Sequence, residues 1–254
     1  MRFSVLTLFP QMFSPLLVGG IIKRCIERKL LSLETIDIRE FATDRHRTVD
    51  DRPYGGGCGM VMKPEPVAAA IQYAKRTCPE GRVVLLAPQG RLFDQDLARR
   101  LAEYPGLILV CGRYEGVDDR VRQRWIDDEI SIGDYVLTGG ELPAMVVIDA
   151  VTRMIPGALG NICSSEEESF STGFLEYPQY TRPRSFEGDG VPEVLLSGDH
   201  GRIEKWRRRA SLMETLVQRP DLLMKAPLEP EDRAVLEAWQ RDLEMILDKG
   251  PTKT

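Results

Sequence analysis

The chain has little of what many functional sites are built from. Its 254 residues include five cysteines and two histidines, and no Cys-x-x-Cys pair occurs among Cys25, Cys58, Cys78, Cys111 and Cys163. With His46 and His200 as the only imidazoles, ligands for zinc are in short supply. An odd thiol count without paired spacing argues against a disulfide framework and for free cysteines in a cytoplasmic protein. Long hydrophobic runs are also missing. The longest, at 83–87, 107–111 and 144–148, fall far short of the roughly 18 residues that a membrane span needs. The N-terminal stretch Arg2-Phe3-Ser4-Val5-Leu6-Thr7-Leu8-Phe9-Pro10 is broken too soon for a signal peptide and reads as a first strand. Three common fingerprints are absent as well: the phosphate loop G-x-x-x-x-G-K-[ST], the dinucleotide turn G-x-G-x-x-G and the hydrolase elbow G-x-S-x-G.

The alternation that is present points to an α/β protein with a mostly parallel sheet. Apolar runs predict strands at 3–9, 35–38, 83–87, 107–111 and 135–137. Helical periodicity lies between them at 13–30, 64–75 and 94–104, where Asp94 reads as an N-cap. After Ile155-Pro156-Gly157 the pattern changes. Residues 161–180 are rich in serine and glutamate and read as a flexible linker. Beyond them, Trp206, Ala210, Met213 and Val217 share one helical stripe, and Val235, Leu236, Trp239, Leu243 and Ile246 share another. The expected organisation is a ligand-binding domain over 1–160, a linker over 161–180 and a small helical domain over 181–254.

Three glycine-bearing loops are expected at strand ends: Ala87-Pro88-Gln89-Gly90, Gly112-Arg113-Tyr114-Glu115-Gly116 and Thr138-Gly139-Gly140. The last follows the alternating stretch from Ile130 to Leu137 and opens an apolar helix from Glu141. Glycine lets backbone N–H and C=O groups approach a ligand closely, and strand ends along one sheet edge are where open α/β folds bind ligands. The composition of the loops points to a nucleoside-like ligand. Net charge is −5, yet the cations cluster. Arg45 and Arg52 flank Gly55, Gly56 and Gly57, a pattern suited to phosphate through guanidinium forks and free N–H groups. The segment Arg202-Ile203-Glu204-Lys205-Trp206-Arg207-Arg208-Arg209 is either a solvated helix face or a track for a phosphate backbone.

Taken together, "DRHRTVDDRPYGGG" from Asp44, Gly112 to Gly116, "SIGDYVLTGGELPAM" from Ser131, and Tyr180-Thr181-Arg182-Pro183 resemble the bacterial tRNA (guanine-N1)-methyltransferases acting at position 37 of tRNA. The resemblance runs in order from residue 1 to about residue 220. It implies a SPOUT-type α/β domain tied in a deep trefoil knot, a homodimer with shared active sites, and S-adenosylmethionine bound in the knot. By that resemblance, the cofactor is held by Ala87, Pro88, Gln89, Gly112, Tyr114, Glu115, Ile132, Gly133, Asp134, Tyr135, Val136, Leu137, Gly139, Gly140 and Pro143. It also brings magnesium, for which no set of residues here identifies a site.

The implied reaction needs a base for the guanine N1 proton and a cation for charge developing on O6. The cation position matches Arg153. The base position, just before a Ser-Phe pair, holds Glu168 where the family has aspartate, and Glu166 and Glu167 leave the neighbouring registers open. RNA contacts are expected from Arg45, Arg52, Gly55 to Gly57, Arg207, Arg208 and Arg209. A non-catalytic RNA-binding protein on the same fold and an enzyme acting on ribosomal RNA are the alternatives.

Overall fold

A computed structural model describes residues 1–159 and 168–249. The chain divides into two compact units, Met1–Ile162 and Cys163–Thr254. The first is built on a five-stranded sheet in the order β2-β1-β6-β5-β7, with every pair parallel. Its strands are β1 (Arg2–Thr7), β2 (Ser32–Asp37), β5 (Arg82–Leu92), β6 (Gly106–Cys111) and β7 (Asp128–Ser131). A two-stranded ribbon, β3 (Asp50–Asp51) with β4 (Val61–Met62), stands apart from it.

Strand β6 is buried along its whole length, because helices cover both faces of a parallel sheet. Leu107, Leu109 and Cys111 enter one apolar cluster, whereas Ile108 and Val110 enter the other. The first cluster packs against α4 (Gln95–Ala102) and α6 (Glu141–Met154), the second against α3 (Pro64–Thr77). Asp94 caps α4 by accepting from the Leu97 N–H at 2.8 Å, as its position predicts.

Several elements differ from the sequence reading, each for a local reason. The predicted helix over 13–30 is a 3-10 turn (Pro10–Phe13), one turn α1 (Pro15–Val18), and then α2 (Gly20–Glu27). Gly20 has φ +80 and breaks the run. The predicted strand 135–137 is a loop: Tyr135 and Val136 are 54% and 87% exposed. The true edge strand β7 lies seven residues earlier. Its Asp128 and Glu129 pair with Arg82 and with Arg122 of α5 (Asp119–Trp125), so charge conceals the strand pattern. Strand β5 runs beyond the predicted 83–87. Its pairing with β7 lapses between Leu86 and Arg91, around Pro88, which has no N–H to donate, and resumes at Arg91.

The second unit contains the hairpin β8 (Ser185–Phe186) and β9 (Asp189–Gly190). Its helices are α7 (Glu193–Leu196), α8 (His200–Gln218), α9 (Pro220–Leu223) and α10 (Pro230–Lys249). The expected apolar stripe of α8 is not its buried face. Met213 and Val217 are 41% and 65% exposed, while Ser211, Leu212 and Thr215 are buried. Part of the expected linker is docked here. Phe174 is buried, the Leu175 N–H donates to Thr215 Oγ1 at 2.9 Å, and the Ser211 hydroxyl donates to the Leu175 carbonyl. Residues 161–167, including Glu166, Glu167 and the rest of that stretch, lie outside the described residues.

Candidate functional site

A cleft of about 240 Å³ opens in the first unit where the ends of β5, β6 and β7 meet the start of α6. It is lined by residues 85–89, 112–117, 130–133, 135–140 and 143. Ala87, Pro88, Gln89, Gly112, Tyr114, Glu115, Ile132, Gly133, Tyr135, Val136, Leu137, Gly139, Gly140 and Pro143 therefore converge. Asp134 does not: it is exposed and outside the lining, whereas Tyr135, whose ring lies against Gly133, is part of it. Leu85, Leu86, Val117, Ile130 and Ser131 line the cleft as well, as do Arg113, Gly116 and Thr138 of the expected loops; none of these was among the residues expected to hold the cofactor.

Backbone hydrogen bonds hold the loops against each other. The Gly140 N–H donates to the Gly112 carbonyl at 2.9 Å, and Arg113 and Gly139 form an antiparallel bridge. A Cβ on Gly140 would stand 2.7 Å from Cys111 Cα and 3.1 Å from both Gly112 N and Leu86 Cβ. Only glycine lets the chain pass between the ends of β5 and β6 there. Next to it in sequence, Glu141 is a carboxylate with 1% exposure. It accepts from the Thr7 hydroxyl at 2.8 Å and meets Arg113 Nε at 2.9 Å, an ion contact that lacks hydrogen-bond alignment. The Arg113 guanidinium also donates to the Thr138 carbonyl at 3.1 Å and stacks 4.5 Å over the Phe9 ring. One buried pair thus ties β1, the 112–117 loop and the start of α6. A carboxylate at the first position of a mostly apolar helix, with an arginine inside a glycine loop, is the sequence signal that would have found it.

Cys111, at the end of β6, is fully buried. Burial pushes Cys111 far above the usual thiol range, and the nearby Glu141 carboxylate adds to the rise. Cys25, Cys58, Cys78 and Cys111 are free cysteines. Among the described residues no three His, Cys, Asp or Glu side chains converge as metal ligands, and no helix is long and apolar enough to cross a membrane.

Arg153 lies in the last turn of α6, half-buried, in the first unit. Glu168 lies in the second unit, where its carbonyl accepts from the Ser171 N–H at 3.0 Å. Arg45, Arg52, Gly55, Gly56 and Gly57 are all exposed, and the three glycines have φ between +81 and +130. The arginine row of α8 is not a uniform outward face. Arg208 donates through Nε to Asp232 at 2.8 Å and sits 4.4 Å over the Phe174 ring. Arg207 stacks on Tyr177 and Arg209 on Trp239. Arg208, expected with Arg207 and Arg209 to contact RNA phosphate, thereby serves as a structural tie. The helix puts it on the same side as Leu212 and Thr215, toward the unit's interior.

Comparison with known proteins now adds to this geometry. The family model described as tRNA (Guanine-1)-methyltransferase TrmD matches residues 1–225. A protein of Desulfatibacillum aliphaticivorans named tRNA (guanine-N(1)-)-methyltransferase is 56% identical over 97% of this chain and 94% of its own length. Its namesake in Geobacter sulfurreducens is 57% identical over 95% and 99%, and that of Geobacillus kaustophilus is 50% identical over 96% and 100%. The chain belongs to the tRNA (guanine-1)-methyltransferase TrmD family.

Proposed function

We propose that this protein transfers a methyl group from S-adenosylmethionine to N1 of guanine at position 37 of tRNA. The observation that carries this reading is the cleft: three loops far apart in sequence, each expected from the resemblance, line one concavity in a chain whose family methylates guanine in tRNA. The cleft fits such a cofactor, with the backbone of the 112–117 and 138–140 loops and the apolar walls of Leu85, Val136 and Pro143. The glycine-only passage of residue 140 between the ends of β5 and β6 is in keeping with the trefoil knot that the resemblance implies. When bound, S-adenosylmethionine supplies a methyl group on a sulfonium that departs as a neutral thioether.

The chain's own residues have two tasks. Glu168 takes the N1 proton, which guanine does not release unaided near neutral pH, and Arg153 stabilises the charge that grows on O6. They stand on different units, in keeping with a homodimer in which each site draws one from each chain. Co-expression of an Arg153→Ala chain with a Glu168→Gln chain tests this arrangement. Shared sites give heterodimers one intact site and recovered activity, whereas no recovery in demonstrated heterodimers places both groups on one chain.

The deciding assay is methyl transfer from labelled S-adenosylmethionine to a tRNA transcript with guanine at position 37 and to the same transcript with adenine there. Label in the first alone supports the reading. Label in both, in ribosomal RNA only, or in neither overturns it.

A further inference from the structure

Tyr54 is 99% exposed, and no other large apolar side chain is exposed between residues 19 and 72. Single exposed apolar residues are ordinary on protein surfaces. The setting of this one is not. Gly55, Gly56, Gly57 and Gly59 follow it with φ of +84, +81, +130 and +86. A Cβ on Gly55 or Gly56 would meet nothing within 4 Å. Packing within this unit therefore does not demand glycine at those two positions. The left-handed turn does, and it leaves the backbone open beside the ring.

The loop is fixed at its base rather than free. Asp50 and Asp51 pair with Met62 and Val61. Met60 accepts from the Glu115 N–H at 2.9 Å, and the Met62 N–H donates to the Gly116 carbonyl at 2.9 Å. A Cβ on Gly59 would fall on the Glu115 carboxylate. The ring thus projects from a ribbon stitched to the 112–117 wall of the cleft. In the same 44–60 segment Arg45, Arg47 and Arg52 are exposed, and Arg120, 71% exposed, lies within electrostatic reach of Tyr54.

We infer that Tyr54 is a stacking platform for an unpaired base of the RNA substrate that flanks the methyl-accepting guanine. This rests on the function proposed above and names how the RNA is held at that site. An exposed ring followed by exposed glycine backbone, with exposed arginines in the same segment, suits single-stranded RNA, whose bases stack on aromatics while guanidinium groups meet phosphates. A protein-docking patch would require several neighbouring apolar side chains, and within residues 44–60 Tyr54 is the one large apolar side chain that is exposed.

The test uses the intact protein and full tRNA. Tyr54→Ala should raise KM for tRNA between about 5- and 150-fold, the range for one stacked base. S-adenosylmethionine should stabilise it against heat as it does the wild type, and Tyr54→Phe and Tyr54→Trp should keep wild-type KM. Single abasic nucleotides on either side of the guanine locate the partner. At the stacked position the abasic tRNA and Tyr54→Ala should together cost no more than either alone. An unchanged KM for Tyr54→Ala, a Phe variant as weak as the Ala variant, or additive losses at every abasic position overturns the inference. Wild-type protein that binds tRNA without methylating it would instead overturn the proposed function, with tRNA binding still reporting on Tyr54.

Discussion

Among the described residues, each unit of this protein buries one carboxylate against an arginine, and each of these arginines lies over a phenylalanine ring. In the first unit the pair is Glu141, 1% exposed, with Arg113 over Phe9; in the second it is Asp232, 2% exposed, with Arg208 over Phe174. The same device sits in opposite surroundings. Glu141 opens a helix whose inner face joins a large apolar cluster. Asp232 is among a small set of buried residues in which Ser211 and Thr215 accompany Leu212 and Phe174. Apolar burial is proportional to area and independent of pH, whereas charged and hydrogen-bonded contacts depend on geometry and protonation. The first unit is therefore held by its core and uses the pair to place the cleft. The second relies on polar ties for the packing itself.

The largest expected effect separates the units by function. Glu168→Gln keeps size and polarity but cannot take a proton, so turnover should fall by ~10²–10⁴. Affinity for S-adenosylmethionine should stay at the wild-type value, because the cleft lies in the other unit. Single-turnover methyl transfer beside equilibrium binding reads both. Full turnover in this variant would move the base elsewhere, with Glu166→Gln and Glu167→Gln as the controls for register. Second in size is Glu141→Ala. It leaves Arg113 poorly exposed and without its carboxylate, a loss of about 3–5 kcal/mol in stability. Denaturant melts measure it, and a cost below about 1 kcal/mol would show that the apolar core alone sets the loop.

The contrast also explains what could be read in advance. Strands β1, β5 and β6 and helices α3, α4 and α6 carry apolar patterns that burial enforces, so sequence located them. The cleft loops were legible because glycines stand at their strand ends, and Gly140 answers to a steric demand at a fixed position. Strand β7 was hidden because an edge strand tolerates Asp128 and Glu129 once Arg82 and Arg122 neutralise them. Helix α5 buries Val121 alone and so shows no stripe. In the second unit the apolar stripe of α8 misled, since its hidden face is Ser211, Leu212 and Thr215. Composition cannot reveal that a hydroxyl is buried when its partner, here the Leu175 backbone, is 36 residues away.

The third prediction concerns pH. The Arg208 guanidinium beside Asp232, helped by the Glu229 N–H, holds the Asp232 carboxyl below the usual carboxylate range against the opposing effect of burial. A depressed folded value contributes stability that is complete above the unfolded value of ~3.9 and is lost as pH falls through the lower folded one. The second unit should therefore loosen below about pH 4, before the apolar first unit does. Asp232→Asn should cost about 1.5–3 kcal/mol near neutral pH and remove that acid transition. Hydrogen exchange in the intact chain, comparing α8 and α10 with β5 and β6, measures both. Equal loosening of the two sets would erase the distinction between the units.

The smallest effect tests what remains of the arginine row. Arg208 is committed to Asp232, so a change there mixes stability with RNA binding. Arg209 is exposed, and its stacking on Trp239 at 5.6 Å leaves its N–H groups able to meet a phosphate. If α8 follows the RNA backbone, Arg209→Ala should lower the slope of log K against log salt by about 0.7–0.9, the counterions released by one contact. The change should be the same for tRNA with guanine or adenine at position 37, since a phosphate contact carries no base information. Thermal stability should hardly move, as expected for an exposed side chain away from the buried pair. Arg208→Ala supplies the contrast, with lower stability and any change in slope appearing only where the unit is also loosened. An unaltered slope for Arg209→Ala would make this face a solvated one and leave RNA contact on the second unit to other residues.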